Sequence, residues 1–391
     1  MIRFCRVALG VALAGCLTAQ PVLAQKSFSR PPWAGAYEPR GIDERGIWMQ
    51  FDEAERGLAL SPAIVRDTEL GAFVRGVLCR AVGDDRCAGV RLYLVRDASF
   101  NASMAPNGVM IVHTGLLARL HSEAELACIL GHEFGHFELR HSLQGFRARR
   151  GAGDAMAWIS LLGAVSNTPM GSTNTSIIAG YYRFHREEEV EADLLGVEFI
   201  RGSRYRLRAS IVWQRLLAEE NALRAERGLR RVRRYAPSLL DTHPTELQRM
   251  GYFANLETEN GAGEDGVEGY RVATSRVLPL LFESLIKGND FAGADYVLRS
   301  RGDAIGWDGP LLYLRGELYR QRANPRDLVT ARDLFQQSIG QGDAPPESWR
   351  GLGLISIRLG DGASGKAALQ EYLRRAPEAP DAATVKMVME N

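Results

Sequence analysis

The sequence predicts an α+β fold, mainly helical, in which a small sheet joins a set of helices and an all-α region follows. Three observations predict it. Val90 to Val95 alternates apolar and polar residues, and Gly108 to His113 forms a second extended run, so both read as strands. Apolar residues elsewhere recur at helical spacing, as in Leu70, Phe73, Val74, Val77 and Leu78. Beyond an acidic, glycine-rich stretch at 257–266 the pattern changes to helical pairs. A chain of 391 residues has room for two or three domains. The divisions are an export segment at 1–24, an extended lead-in at 25–42, a first domain at 43–256, a linker at 257–266 and a helical region at 267–391.

Charge is balanced, with 48 basic and 47 acidic side chains, so nothing general points to nucleic acid. Arg3 and Arg6 precede an apolar run from Val7 to Ala19, and Val22-Leu23-Ala24 offers small residues for cleavage. A second reading takes Leu13-Ala14-Gly15-Cys16 as a lipobox, leaving Cys16 lipidated in an outer-membrane lipoprotein. Either way the mature chain is expected in a bacterial periplasm, with no transmembrane helix. Cys79 and Cys87 flank Gly83-Asp84-Asp85, so a disulfide closing this loop suits an oxidising compartment. Cys128 reads as a small buried hydrophobe.

From Asp43 to about Val82 the chain reads as helical. Asn101 to Pro106 reads as a turn between the two strands, and Thr114-Gly115-Leu116-Leu117 leads into the next helix. That helix carries His132-Glu133-Phe134-Gly135-His136. His132 and His136 stand one turn apart on one face, as two imidazoles gripping one zinc ion require. Glu133, beside the first of them, is placed to act on water instead of on the metal. A third ligand six residues past His136 is missing, because Ser142 stands there. His141 falls one residue short and reads either as a support for the site or as a solvent-facing residue. A distant carboxylate should complete the set, and Arg186 to Gly196 supplies candidates on a partly buried helix. Glu189 and Asp193 are one turn apart there, so one can bind zinc while the other accepts a hydrogen bond from a ligand histidine.

These motifs occur in a fixed order. HExxH at 132–136, RxxExEADxxG at 186–196, and Thr242-His243-Pro244 followed by Arg249 resemble the zinc metallopeptidase family of HtpX, the CAAX prenyl proteases and the BepA-type periplasmic peptidases. Asn101-Ala102, Pro106-x-Gly108 and Thr114-Gly115-Leu116-Leu117 resemble that family's approach to its active-site helix. The resemblance covers about residues 60–255. It implies a zincin-type domain binding one zinc through His132, His136 and Glu189, with Glu133 as general base and Asp193 behind a ligand. It also implies His243 as a fourth ligand or oxyanion helper, with Arg249 as a second candidate helper. A peptide substrate is expected to add to an extended edge through backbone bonds, and Val109, Met110, Ile111 and Val112 are the candidate edge, against the reading of a plain core strand.

Between the two metal-binding helices, the apolar run 155–165 and the polar run 166–176 read as a lid or as a packed helix and loop. The basic stretch 201–234 reads as a solvated helix face interleaved with Glu219, Glu220 and Glu226. In the C-terminal region, Trp349-x-x-Leu352-Gly353 with Gly360 and Pro377 resembles a tetratricopeptide repeat, and Leu312, Gly316, Tyr319, Ala331 and Phe335 resemble an earlier unit. The resemblance therefore implies a periplasmic zinc endopeptidase for outer-membrane protein quality control. Its substrates would be unfolded or misassembled proteins, and its repeats would meet outer-membrane assembly machinery. The competing class is a chaperone-like adaptor whose zinc site is closed or regulated.

Overall fold

The computed structural model describes residues 38–150, 186–230, 246–258, 262–288 and 290–390. The export segment with Cys16, the run 155–176, and Thr242-His243-Pro244 lie outside the described residues.

The first domain is mainly helical around one three-stranded sheet of order β1-β3-β2. The strands are β1 (Arg91–Val95), β2 (Ala102–Met104) and β3 (Val109–His113). β1 lies parallel to β3, pairing Arg91 with Val109 and Val95 with His113, while β2 is antiparallel to β3 and pairs Met104 with Met110. Two expectations are corrected here. The stretch 101–106 contains β2, so the turn shrinks to the residues around Asn107 and Gly108, where Gly108 takes a left-handed φ of 89°. Asn107 anchors this turn by donating to the Asp52 carboxylate at 2.8 Å. Val109 to Val112 is not an edge either: β3 is central, with its backbone bonded on both sides, and among the described residues the open edge next to the metal-site helix is β2.

β3 is buried along its whole length because both faces of the sheet are covered. Val109 and Ile111 pack with Ile47 and Leu58 from α1 (Gly41–Ala59), and Met110 and Val112 face the other way. α2 (Thr68–Val82) is capped by Asp67, which accepts from the Leu70 amide at 2.8 Å, and ends at Gly83. The short α3 (Asp84–Cys87) follows, with Cys79 and Cys87 joined in a disulfide. This places Arg86, whose Nε donates to Glu138 at 3.0 Å. Glu138 ends α5 (Glu123–Glu138), which follows α4 (Thr114–Arg119) and is buried from Glu123 to Phe137.

After α6 (His141–Arg150) come α7 (Arg186–Arg201), α8 (Ala209–Glu226) and α9 (Glu246–Thr258). The C-terminal helices are α10 (Val267–Ser275), α11 (Leu278–Lys287), α12 (Phe291–Ile305), α13 (Gly309–Arg322), α14 (Pro325–Gly340), α15 (Glu347–Arg358), α16 (Gly362–Arg375) and α17 (Ala382–Glu390). α13 with α14 and α15 with α16 form antiparallel hairpins, and Phe335 is fully buried between them with Ala331 and Ile355. Residues 262–266, expected as linker, are docked instead. The Asp265 carbonyl accepts from the Ala124 amide at 3.0 Å, and its carboxylate accepts from Arg208 at 2.8 Å. Farther on, Tyr270 donates to the Leu117 carbonyl at 2.7 Å, and α11 and α12 pack on α4 and α8. Among the described residues, no helix is long and apolar enough to cross a membrane.

The disulfide closes a loop between positions eight residues apart. Replacing both cysteines by serine should lower unfolding stability by about 2.5 kcal/mol in urea titrations, through loop-closure entropy. A change below about 0.5 kcal/mol would mean that the unfolded chain gains little freedom there.

Candidate metal centre

α5 and α7 meet backbone to backbone, because small residues face each other at the crossing. A Cβ added at Gly135 would lie 2.9 Å from the Ala192 carbonyl oxygen, and one at Gly196 would lie 3.2 Å from the His132 amide nitrogen. No larger residue fits either place without shifting main chain. Residues one turn apart share a helix face, so this crossing sets His132 and His136 of α5 opposite Glu189 of α7.

The three donor groups converge. His132 Nε2 is 3.1 Å from His136 Nε2 and 3.6 Å from Glu189 Oε2, and His136 Nε2 is 3.4 Å from Glu189 Oε1. A tetrahedral zinc with bonds of about 2.0–2.1 Å holds its ligand atoms about 3.3 Å apart, so the donor set fits that ion in type and in spacing. Burial argues the same way. Glu189 is 1% exposed, and a carboxylate withdrawn from water beside two imidazoles needs positive charge to balance it. Glu133, next to His132 on α5, is buried with them.

Each histidine is also held from behind. His132 Nδ1 lies 2.7 Å from Asp193 Oδ1, which fixes Nδ1 as the protonated nitrogen and turns Nε2 toward Glu189. Burial alone would raise the Asp193 carboxyl, but the charges of Arg249 and His132 outweigh it and hold the group at about 2. Arg249 pairs directly with Asp193, and its guanidinium lies over the Trp213 ring at 4.2 Å. The Arg249 guanidinium comes closer to His132 Nδ1, at 3.2 Å, than to Nε2, at 3.5 Å. Arg249, a candidate oxyanion helper by sequence, is thus placed against Asp193 and His132. His136 Nδ1 meets His141 Nδ1 at 2.8 Å, so His141 is a buried neighbour of the site and not a solvent-facing residue.

A model of peptidase family M48 matches residues 66–257, the span that contains all of these groups. The chain carries a peptidase family M48 domain. It is 27% identical over 245 residues to a Vibrio cholerae protein provisionally named beta-barrel assembly-enhancing protease, covering 59% of this chain and 48% of that relative. It is 24% identical over 255 residues to the beta-barrel assembly-enhancing protease of Yersinia pestis, covering 62% and 49%. The mitochondrial metalloendopeptidase OMA1 of Arabidopsis thaliana is 29% identical over 190 residues, covering 45% and 35%. The chain thus spans about half the length, or less, of these curated relatives.

Within the M48 domain, the sequence motifs led to the residues at the donor cluster but not to those that hold Arg249. Trp213 stacks on it, and the Tyr252 hydroxyl faces the same Asp193. Neither lies in a recognisable motif. Cys128 lies one turn before His132 on α5, where the Arg208 amide donates to its sulfur at 3.4 Å and burial pushes the thiol up to about 12, so it is unreactive. The crossing makes a direct prediction. Gly135→Ala should cost about 1–3 kcal/mol of unfolding stability by overpacking, and it should lower zinc affinity because the helices must separate. A variant that unfolds and binds zinc like the parent would show that the crossing can relax without moving the donors.

Proposed function

We propose that this chain is an exported, zinc-dependent endopeptidase that hydrolyses peptide bonds in misfolded or misassembled envelope proteins. The observation that carries the reading is the buried meeting of His132, His136 and Glu189 at zinc-ligand spacing, with Glu133 beside His132. The names of the relatives, proteases of beta-barrel assembly and a mitochondrial metalloendopeptidase, support the substrate class. Residues 1–24 supply the export segment in this reading, and the disulfide suits an oxidising compartment.

A zinc ion held by the three side chains would supply Lewis-acid polarisation of the scissile carbonyl and lower the pKa of water. The remaining steps belong to the chain. A Glu133 carboxylate oxygen accepts a proton from the water that adds to the peptide carbonyl carbon, then delivers it to the departing amine nitrogen. Asp193 and Arg249 hold His132 in a single tautomer and orientation throughout. An extended substrate would add its backbone along β2, the sheet edge that borders α5.

The C-terminal hairpins, read as tetratricopeptide-like, would present protein-binding surface beside the catalytic domain. α11 and α12, on which the first hairpin packs, dock on α4 and α8, and this favours recruitment coupled to cleavage over a purely adaptor role. The test compares the purified mature chain with Glu133→Gln on an unfolded outer-membrane protein. Parent and variant should each hold one zinc, and cleavage should fall about 10²–10⁴-fold in the variant alone. Zinc in both without cleavage by the parent, but with retained substrate binding, would favour the adaptor.

A further inference from the structure

His141 is fully buried against the back of His136, and nothing in the reaction described above uses it. We propose that His141 is a positioning residue for the metal ligand His136. It accepts a hydrogen bond from His136 Nδ1 and so holds that imidazole with its Nε2 lone pair toward Glu189 and His132. The inference rests on the zinc reading of the site.

The contact is built by the backbone. Had α5 continued as a regular helix, position 141 would lie five residues past His136, roughly 140° around the axis and facing away. The chain breaks instead at Arg140, which takes a left-handed φ of 58°, a conformation shared among described non-glycine residues only with Ala323. The break starts α6 at His141 and turns its ring back onto His136. Arg140 is held in this turn through its amide, which donates to the Phe137 carbonyl at 3.0 Å, and through its guanidinium, which donates to Glu44 at 3.3 Å. Glu44 is itself a buried carboxylate on α1.

Proton accounting gives the contact a direction. His136 Nε2 faces the donor cluster, so its proton sits on Nδ1 when that nitrogen ligates. At 2.8 Å, His141 Nδ1 must then be the acceptor, which puts the His141 proton on Nε2. Nε2 points at Glu191 Oε2, 3.4 Å away. The two ligands are therefore braced differently: His132 directly by the Asp193 carboxylate, His136 by an imidazole that leads to Glu191.

Zinc affinity reports on this without any assay of cleavage. Leu and Asn have nearly the same shape, but only Asn offers an acceptor at the position of the imidazole Nδ1. In chelator competition on the full chain, His141→Leu should bind zinc about 10–100-fold more weakly than the parent, and His141→Asn should recover most of that loss. Equal affinities for the two variants, or a His141→Leu variant as tight as the parent, would overturn the proposal. The parent offers a second reading that needs no substitution. Nitrogen-15 spectra of the zinc-loaded chain should show a proton on His136 Nδ1 and none on His141 Nδ1, and the reverse would overturn it. A parent that binds no zinc would instead defeat the zinc reading on which this inference stands.

Discussion

The close crossing of α5 and α7 at Gly135, Ala192 and Gly196 is the constraint on which the site depends. It brings two backbones near enough that a carboxylate on one helix reaches the imidazoles of the other. It also withdraws Glu189 and Asp193 from bulk solvent, so they must be balanced by cations or protons. Arg249 balances Asp193, and the donor cluster is suited to balance Glu189 with a metal. Packing at the crossing and chemistry at the site are thus one feature.

A helix buried from end to end needs its termini satisfied within the protein, and much of the fold serves α5 in this way. At the N-terminus, Ser122 accepts from the Glu125 amide at 3.2 Å. Glu123 accepts from Tyr205 at 2.6 Å and from Arg80 at 3.0 Å, a buried anion at the positive end of the helix. Arg215 of α8 pairs with Glu125, and Asp265 lends a carbonyl to the first turn. The fully buried Arg301 of α12 approaches the Leu120 carbonyl just ahead of the helix and lies against the Tyr270 ring. At the C-terminus, Glu138 meets Arg86 from the disulfide loop. The C-terminal helices are therefore tied to the start of the metal-site helix.

Much of this was legible in sequence where periodicity and chemistry coincide. His132 with His136 and Glu189 with Asp193 are one-turn pairs whose residue types suggest their use. The small sheet was harder to read. β2 is only three residues long and shows no alternation, and β3 is buried on both faces, so hydropathy could not separate a central strand from an edge. Arg249 stands out in the sequence only by its place after a motif; its partners come from three helices, and such convergence has no local signature. His141 shows the same gap. Its spacing from His136 suggests opposite faces of a helix, and only the left-handed turn at Arg140 makes them neighbours.

A single zinc site formed by His132, His136 and Glu189 has a spectroscopic signature. X-ray absorption at the zinc edge of the purified full chain tests it most directly. One zinc per chain is expected, with a light-atom shell of nitrogen and oxygen at about 2.0–2.1 Å, imidazole scattering from at least two histidines and no sulfur. Replacing Glu189 by Ala should change that shell. A zinc–sulfur shell near 2.3 Å, or a spectrum unaffected by loss of Glu189, would rule out this ligand set.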